Sequence, residues 1–195
     1  MTDVRAALSA TDDWTTELDA ARQGHDEAFR ALYRAVHPSL LRYVRALVGD
    51  DAEDVVSEAW LQIIRDLHTF HGDGAAFRAW TATVARHRAM DHLRRCRRWP
   101  VVPVPHDALH DLPDPQDTAG LAFEALSARA AVALIVTLPR EQAEAVLLRV
   151  LFGLNVEASA RVLGKRPGAV RTATYRGLRR LAERLGPARR AEVTS

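Results

Sequence analysis

Hydrophobic side chains in the first half of the chain recur every three to four residues. Between residues 27 and 48, and again between 51 and 67, the spacing is close to the 3.6-residue period of an α-helix. The apolar positions of the second stretch are Ala52, Val55, Val56, Ala59, Trp60, Ile63, Ile64 and Leu67. The pattern predicts two amphipathic helices, with Gly49-Asp50-Asp51 supplying the break and an N-cap. Pro38 is expected to break or kink the first of them.

A third helix is predicted after the Gly72-Asp73-Gly74 loop. Its apolar positions are Phe77, Trp80, Val84, Met90 and Leu93. We expect Phe70, Phe77 and Trp80 to pack in the core, as aromatic side chains at helical spacing usually do. The sequence contains no alternation of useful length that would indicate strands.

Prolines are concentrated in one place, since five of the nine lie between Trp99 and Pro115. Each proline removes a backbone donor and restrains the residue before it, so this segment is predicted to be an extended linker. About 20 residues at ~3.1 Å each would reach roughly 60 Å.

The pattern of a helix-turn-helix follows the linker, after predicted helices over about 119–137 and 140–151. A short helix from Val156 ends at Gly164, and Pro167 lies where a second helix would begin. Ala160, Gly164 and Val170 have the spacing that the crossing of two such helices requires. The second helix is predicted to turn inward the side chains of Val170, Thr174, Leu178, Leu181 and Leu185. Its outward positions are Arg171, Thr172, Tyr175, Arg176 and Arg179.

These elements together predict an all-α protein of two small helical domains. The expected boundaries are an N-terminal segment (1–26), a helical bundle (27–98), the linker (99–118), a helix-turn-helix domain (119–186) and a tail (187–195).

Positive charge is concentrated in two blocks. Residues 77–98 carry seven arginines against one acid, and residues 125–195 carry thirteen basic residues against five acids. Residues 99–124 between them hold five acids and no Lys or Arg. Two basic blocks indicate two contacts with a polyanion. The alternative, solvated helix faces, is disfavoured because seven arginines with one acid leave few partners for pairing within a helix.

The outward face of the predicted second helix has the chemistry of DNA recognition. Arginine can bridge O6 and N7 of guanine in the major groove, and threonine can contact a thymine methyl group. Arg179, Arg180 and Arg184 lie further along the helix and are expected to meet phosphates. An ordinary amphipathic hairpin with a basic face is the alternative, but spacing and charge agree on DNA binding.

Cysteine content and hydropathy place the protein in the cytoplasm. Cys96 is the single cysteine, so no internal disulfide is possible. The N-terminal residues are acidic and are followed by no apolar segment of a signal peptide. The longest apolar run, 130–136, is too short to span a bilayer, so no membrane insertion is expected.

Enzymatic activity and a metal site are not expected. His87, Asp91 and His92 lie on one predicted helix, where histidines and acids one turn apart can bind metal. The arginines of the same segment would repel a cation, and no further ligands stand in a matching motif; His106 and His110 fall in the linker. No nucleophile motif or phosphate loop is present, so the sequence predicts no catalysis, no cofactor and a function that a chelator leaves intact.

Both halves resemble the extracytoplasmic-function (ECF) subfamily of the bacterial sigma-70 family of RNA polymerase sigma factors. The matching stretches are DDAEDVVSEAW (50–60), FRAW (77–80), ARHRAMDHLRR (85–95), LPREQAEAVLLR (138–149) and GAVRT (168–172). Their order and the proline-rich separator carry the resemblance, which extends from Ala28 to Leu185. It implies that the protein directs core RNA polymerase to promoter DNA and is held inactive by an anti-sigma factor.

The resemblance also assigns roles to individual residues. Asp54, Ser57, Glu58 and Leu61 would dock on the clamp helices of polymerase, although many members have glutamine at the position of Ser57. The minus-ten element would be handled by His71, Asp73, Arg86, His87, Arg88, Asp91, Arg94 and Arg95. The second domain would read the minus-thirty-five element as a duplex and meet the polymerase flap.

A conventional helix-turn-helix regulator with an N-terminal sensing domain is the competing interpretation. Such a protein would bind duplex DNA without polymerase. The basic helix after the Gly-Asp-Gly loop favours a sigma factor, because a sensing domain has no need of a second DNA contact.

Overall fold

A computed structural model describes residues 14–98 and 130–191, with side chains for 14–97 and 130–185. The helices are α1 (Thr15–Arg22), α2 (Asp26–Val48), α3 (Ala52–Asp66), α4 (Gly74–Arg98), the helical residues 130–136 (α5), α6 (Arg140–Phe152), α7 (Val156–Leu163) and α8 (Pro167–Ala191). Single 3-10 turns, Gly49–Asp51 and Leu67–Thr69, flank α3. No strand occurs in these two ranges, and the predicted all-α class is confirmed. The predicted linker and residues 1–13 lie outside the described ranges.

Helices α1 to α4 form the first module, and their buried faces share one core. Leu40, Tyr43, Ile63 and Phe77 are fully buried in it. The aromatic core prediction holds for Phe70, which stacks on Trp80 with ring centroids 5.0 Å apart. Apolar side chains recurring on one side of each helix are removed from water by this packing, which is the main driving force for the bundle.

Helix α1 was not predicted from the sequence. Leu18 and Ala21 on this helix are buried, and Trp14 just before it meets Phe77 edge to face at 6.3 Å. The guanidinium of Arg78 lies 5.4 Å from the centre of the Trp14 ring. An eight-residue helix is too short to show a clear period, so only its packing against the bundle reveals it.

Of three local expectations for α2 and α3, one was wrong and two hold only in part. Helix α2 runs from Asp26 to Val48 without a break at Pro38. Asp51 precedes α3 but makes no side-chain capping bond; its carboxylate lies 2.9 Å from Nε2 of His92 on α4. Ile64, expected to be buried, is half exposed. Tertiary contacts decide the course of a helix, the partner of its capping residue and the burial of its border positions. These features cannot be predicted from the helical period alone.

The predicted helix-turn-helix is present in the second module, formed by α5 to α8. Asn155 caps α7 by accepting a 2.8 Å hydrogen bond from the Ala158 amide, and Gly164 ends it in the left-handed conformation at φ +63°. A residue with a β-carbon would be strained there, so glycine suits the turn. Pro167 begins α8, and Ala160 and Val170 are buried where the helices cross, as predicted.

The inward face of α8 differs from the prediction in its second half. Val170 and Thr174 are buried, but Leu178 is half exposed and Gly177 is buried in its place. A β-carbon on Gly177 would come within 3.0 Å of the Val146 side chain on α6. The axis of α8 therefore lies too close to α6 for a side chain at this position. Leu185 is also half exposed, and the helix continues into the predicted tail as far as Ala191.

The two modules are in contact. Helix α4 of the first module packs against α6 and α7 of the second, and α2 packs against α6. The Tyr43 ring meets the Phe152 ring edge to face, with centroids 5.7 Å apart. Helix α6 is thereby buried on all sides over residues 143–148.

Among the residues described, no helix is both long enough and apolar enough to cross a membrane.

Replacing Gly177 by leucine should destabilise the second module. The new side chain would collide with Val146 and Leu138, and overpacking of this kind costs about 1–3 kcal/mol. Gly168→Ala is the matched control, since its β-carbon would meet open space on the same helix. Urea unfolding followed by circular dichroism measures the difference. Equal stabilities of the two variants would contradict the close crossing of α6 and α8.

Candidate nucleic-acid and polymerase interfaces

The predicted DNA-reading side chains form one exposed face at the N-terminal half of α8. This recognition face consists of Arg171, Thr172, Tyr175, Arg176 and Arg179, all of them exposed. Tyr175 leaves 67% of its surface accessible, which is high for an aromatic ring on a folded domain. Arg179 donates a 2.8 Å hydrogen bond to Glu183, and this carboxylate raises the pKa of the guanidinium. The face combines bidentate donors with an aromatic ring, the composition that base-edge recognition uses.

Two further arginines of α8 are engaged within the second module. Arg180 donates a 3.1 Å hydrogen bond to Gln142 on α6, and Arg184 donates to the Thr137 hydroxyl. Both arginines were expected to meet DNA phosphates. In the structure these two exposed side chains link α8 to the residues before and within α6. Each arginine could contact a phosphate only by giving up its hydrogen bond to Gln142 or Thr137.

The predicted polymerase-docking side chains share one face of α3. This docking face consists of Asp54, Ser57, Glu58 and Leu61. Leu61 is 70% exposed, and the neighbouring Ile64 adds a second exposed apolar side chain that sequence reasoning had placed in the core. An acidic rim around exposed aliphatic side chains is typical of a protein-binding surface.

The loop before α4 has a structural task as well as the predicted one. Asp73 accepts a 2.7 Å hydrogen bond from the Ala76 amide and so caps the start of α4. His71 is exposed, and its Nδ1 lies 3.2 Å from the guanidinium of Arg22 on α1. Arg22 also donates to the carbonyl of Phe70, so α1 helps to hold this loop.

The four arginines of the predicted minus-ten set, Arg86, Arg88, Arg94 and Arg95, are paired rather than free. Arg88 donates two hydrogen bonds to Gln62, at 2.9 and 2.6 Å, and Arg94 lies 2.5 Å from Asp91. Arg95 pairs with Glu58 of the docking face at 3.3 Å. His87 is exposed on the same helix. Six of the eight predicted minus-ten residues therefore lie along α4, with His71 and Asp73 in the loop before it, but the arginines are linked to carboxylate and amide groups of the protein.

Arg86 differs from the other arginines because its partner comes from the second module. Its Nε donates a 2.7 Å hydrogen bond to Glu144 on α6, which also receives a 2.9 Å bond from Arg140. The Glu144 side chain is only 5% exposed. A buried carboxylate is stable only when it is paired and hydrogen-bonded, and here two guanidinium groups satisfy it.

Tyr43 completes this buried cluster. Burial, and next to it the negative charge of Glu144, raises the pKa of the Tyr43 hydroxyl well above its ordinary value. Its oxygen finds no hydrogen-bond partner within the described ranges. Sequence reasoning missed both Tyr43 and Glu144. The signal that could have identified Glu144 is an acidic residue in a helix that is buried on all sides. The sequence does not show this burial, because it results from the position of α6 between the two modules.

The fold and these faces define a helical protein of two modules, the second of which carries a helix-turn-helix. The family model Sigma-70 region 2 matches residues 32–99, and Sigma-70, region 4 matches residues 128–181. Together the two models cover most of each described module, without α1 and the last residues of α8.

Curated relatives extend this similarity across both modules. ECF RNA polymerase sigma factor ShbA of Streptomyces griseus is 35% identical over 87% of this chain and 96% of its own length. ECF RNA polymerase sigma factor BldN of Streptomyces coelicolor is 36% identical over 86% of this chain and 64% of its own length.

Solved structures show the same fold. The sigma factor RpoE in complex with the anti-sigma factor NepR from Bartonella quintana matches with a TM-score of 0.59 and 23% identity, over 81% of this chain and 96% of that one. CnrH in complex with the cytosolic domain of CnrY matches with a TM-score of 0.58 and 20% identity, over 88% and 96%.

The chain belongs to the sigma-70 family of RNA polymerase sigma factors, in its ECF branch. The resemblance read from the sequence motifs is confirmed, and with it the function of an ECF sigma factor. Sigma factors regulate transcription and are not themselves enzymes.

Glu144→Gln should loosen the contact between the modules. The substitution leaves Arg86 and Arg140 without a negative partner, and breaking a buried ion pair costs about 3–5 kcal/mol. We expect an increased radius of gyration by small-angle X-ray scattering with the helical circular dichroism retained. Glu141→Gln is the control on the same helix, because Glu141 is exposed and pairs with Lys165 inside the second module. A compact Glu144→Gln protein would mean that this ion pair does not hold the modules together.

Proposed function

We propose that this protein binds core RNA polymerase through the docking face of α3 and brings it to promoters read at two elements. The proposal rests on one observation: the docking face lies on the first module and the recognition face lies on the second. One face is acidic with aliphatic side chains, and the other is basic with an aromatic ring. A protein surface suits the first face, and a DNA groove suits the second.

The minus-thirty-five element would be read as a duplex by the recognition face. The N-terminal half of α8 would enter the major groove, with Arg171 and Arg176 available to guanine and Thr172 to a thymine methyl. Helices α6 and α7 pack against α8 and would set its angle to the groove. The same module would meet the polymerase flap.

The minus-ten element would be engaged by α4 and the loop before it. His71 and His87 are exposed and would face an unstacked strand, and the arginines of α4 would contact its phosphates. Arg95 and Arg94 are exposed enough to exchange their carboxylate partners for phosphate. Asp73 would act mainly by capping α4, since its carboxylate is already engaged.

Binding both elements would require the modules to separate. About 18 base pairs at 3.4 Å span ~60 Å, whereas α4 and α6 are packed together here. Arg86 can reach a phosphate only after leaving Glu144. We therefore propose that the packed arrangement is a resting state which polymerase and promoter open, and which an anti-sigma factor would favour.

The setting and chemistry follow from these partners. The protein would work in the cytoplasm, where core polymerase and promoter DNA are found. It would contribute binding energy and strand separation and leave catalysis to polymerase.

A duplex-binding regulator that acts without polymerase is the competing function. Run-off transcription with purified core polymerase distinguishes the two. The proposed function requires a transcript that starts at a defined position only when this protein is added. A regulator would bind the same DNA and produce no transcript.

Arg171→Ala and Arg176→Ala should each weaken binding to the upstream element. Loss of one bidentate contact to a base costs about 1–3 kcal/mol, or roughly five- to 150-fold in affinity. Fluorescence anisotropy of the holoenzyme on labelled promoter DNA measures the change, and core binding should be unaffected. Arg149→Ala, an exposed arginine of α6, is the control. Unchanged promoter affinity in both variants would place the recognition face elsewhere.

Charge reversal at Asp54 and Glu58 should abolish core binding. Two carboxylates facing a basic partner become two repulsive charges at the centre of the docking face. The exposed acid Glu27 on α2 provides the control substitution Glu27→Lys, which preserves the change in charge per site. Size-exclusion chromatography with core polymerase gives the readout. Full association of the double variant would rule out this docking face.

A further inference from the structure

A sulfur, a nitrogen and an oxygen atom that could bind a metal ion lie close together near the C-terminal end of α4. Sγ of Cys96, Nε2 of His92 and a carboxylate oxygen of Asp51 all lie within 4.8 Å of one another. His92 and Cys96 are one helical turn apart on α4, and Asp51 reaches them from the 3-10 turn before α3. This grouping was not predicted from the sequence, where His92 was considered together with His87 and Asp91.

We propose that Asp51, His92 and Cys96 form a binding site for a zinc ion. The three side chains supply one thiolate, one imidazole and one carboxylate, which are the three protein ligand types that zinc prefers. A fourth position would remain open to water, as in zinc sites with three protein ligands. The inference concerns residues outside the recognition face and goes beyond the promoter function.

The ligand distances are already close to those of a zinc centre. His92 Nε2 lies 3.4 Å from Cys96 Sγ and 2.9 Å from Asp51 Oδ2. Bonds of ~2.3 Å to sulfur and ~2.0 Å to nitrogen and oxygen, in a tetrahedron, would separate these pairs by roughly 3.5 and 3.3 Å. These two separations would have to change by only a few tenths of an ångström. The sulfur of Cys96 and the carboxylate oxygen of Asp51, which lie within 4.8 Å of each other, would have to come to roughly 3.5 Å.

One ring nitrogen of His92 faces both neighbours, and this feature favours a metal over a proton relay. In a cysteine or serine relay, one imidazole nitrogen meets the nucleophile and the other meets the carboxylate. Here Nε2 is near both the thiol and the carboxylate. Three ligand atoms that converge on one point are the arrangement that a cation requires.

Three of the four arginines that argued against a cation from the sequence are paired with carboxylates in the fold. Arg94 pairs with Asp91, Arg95 pairs with Glu58, and Arg86 pairs with Glu144. Arg88 is turned to Gln62 on α3. The local charge around Cys96 is therefore less positive than the count of arginines in this helix suggests.

The accessibility of the three groups suits an ion that exchanges with solvent. His92 is mostly buried, with 18% of its side chain exposed, whereas Cys96 and Asp51 are exposed. The buried imidazole would fix the position of the ion, and the exposed thiol and carboxylate would close on it from the outside. A bound ion would link the C-terminal end of α4 to the turn before α3.

Cobalt titration of the metal-free, full-length protein without a histidine tag tests the site. Cobalt(II) takes the place of zinc and gives a near-ultraviolet charge-transfer band when a thiolate binds it. We expect one equivalent to produce this band and zinc to displace it. Cys96→Ser should remove the band, and His92→Gln and Asp51→Asn should weaken binding at least roughly tenfold.

His87→Gln is the matched control, because His87 lies on the same helix outside the cluster. Its binding should equal that of the unaltered chain. A second measurement needs no variant: zinc should slow the reaction of Cys96 with a thiol reagent in the unaltered protein. Binding without the charge-transfer band, an equal loss in His87→Gln, or unprotected Cys96 at saturating zinc would each overturn the proposal.

Discussion

The buried carboxylate of Glu144 is the constraint on which the arrangement of the two modules depends. It is held between Arg140 of its own helix and Arg86 of the first module, in a place nearly closed to water. A buried charge is costly unless its partners stay in place. The modules therefore stay packed because Glu144 needs Arg86, and not only because their surfaces attract each other. Tyr43 and Phe152 exclude water next to it. Opening the contact therefore has to give Glu144 new partners or water.

This constraint also decides when Arg86 is available. The side chain that would hold a DNA phosphate is the same one that satisfies Glu144, and it cannot do both. On the proposed function, the protein would engage DNA over a distance much longer than one module, so closure and promoter binding would exclude each other. The second module would then keep the free protein from binding DNA through α4.

Much of the fold could be predicted from the sequence, because its causes are local. The period of apolar side chains set α2 and α3, and Gly164, Pro167 and Val170 set the turn and crossing of the helix-turn-helix. The exposed positions of the recognition face followed from the same period. Ile64 and Leu178 were wrongly predicted to be buried. The 3.6-residue period shows which side of a helix is apolar, but the neighbouring helices decide how much of that side is covered.

The interactions that join distant parts of the chain could not be predicted. Trp14, just before α1, contacts Phe77 and Arg78, which lie more than sixty residues further along the chain. Gly177 was not singled out from the sequence, and its role appears only because α6 occupies the space where its side chain would be. The pairing of Glu144 with Arg86 spans 58 positions, and that of Asp51 with His92 spans 41. No local spacing carries that information.

The pair formed by Arg95 and Glu58 connects two surfaces that would otherwise act separately. Glu58 belongs to the docking face and Arg95 to the basic helix, and each partly neutralises the other. If the two surfaces bind as proposed, a partner that took Glu58 would release Arg95 for a nucleic acid, so one binding event would favour the other. Because the pair is largely exposed, the gain would be small, on the order of 1 kcal/mol or about fivefold in affinity. Occupancy of one surface would thus be communicated to the other through one ion pair between α3 and α4, without any change of fold.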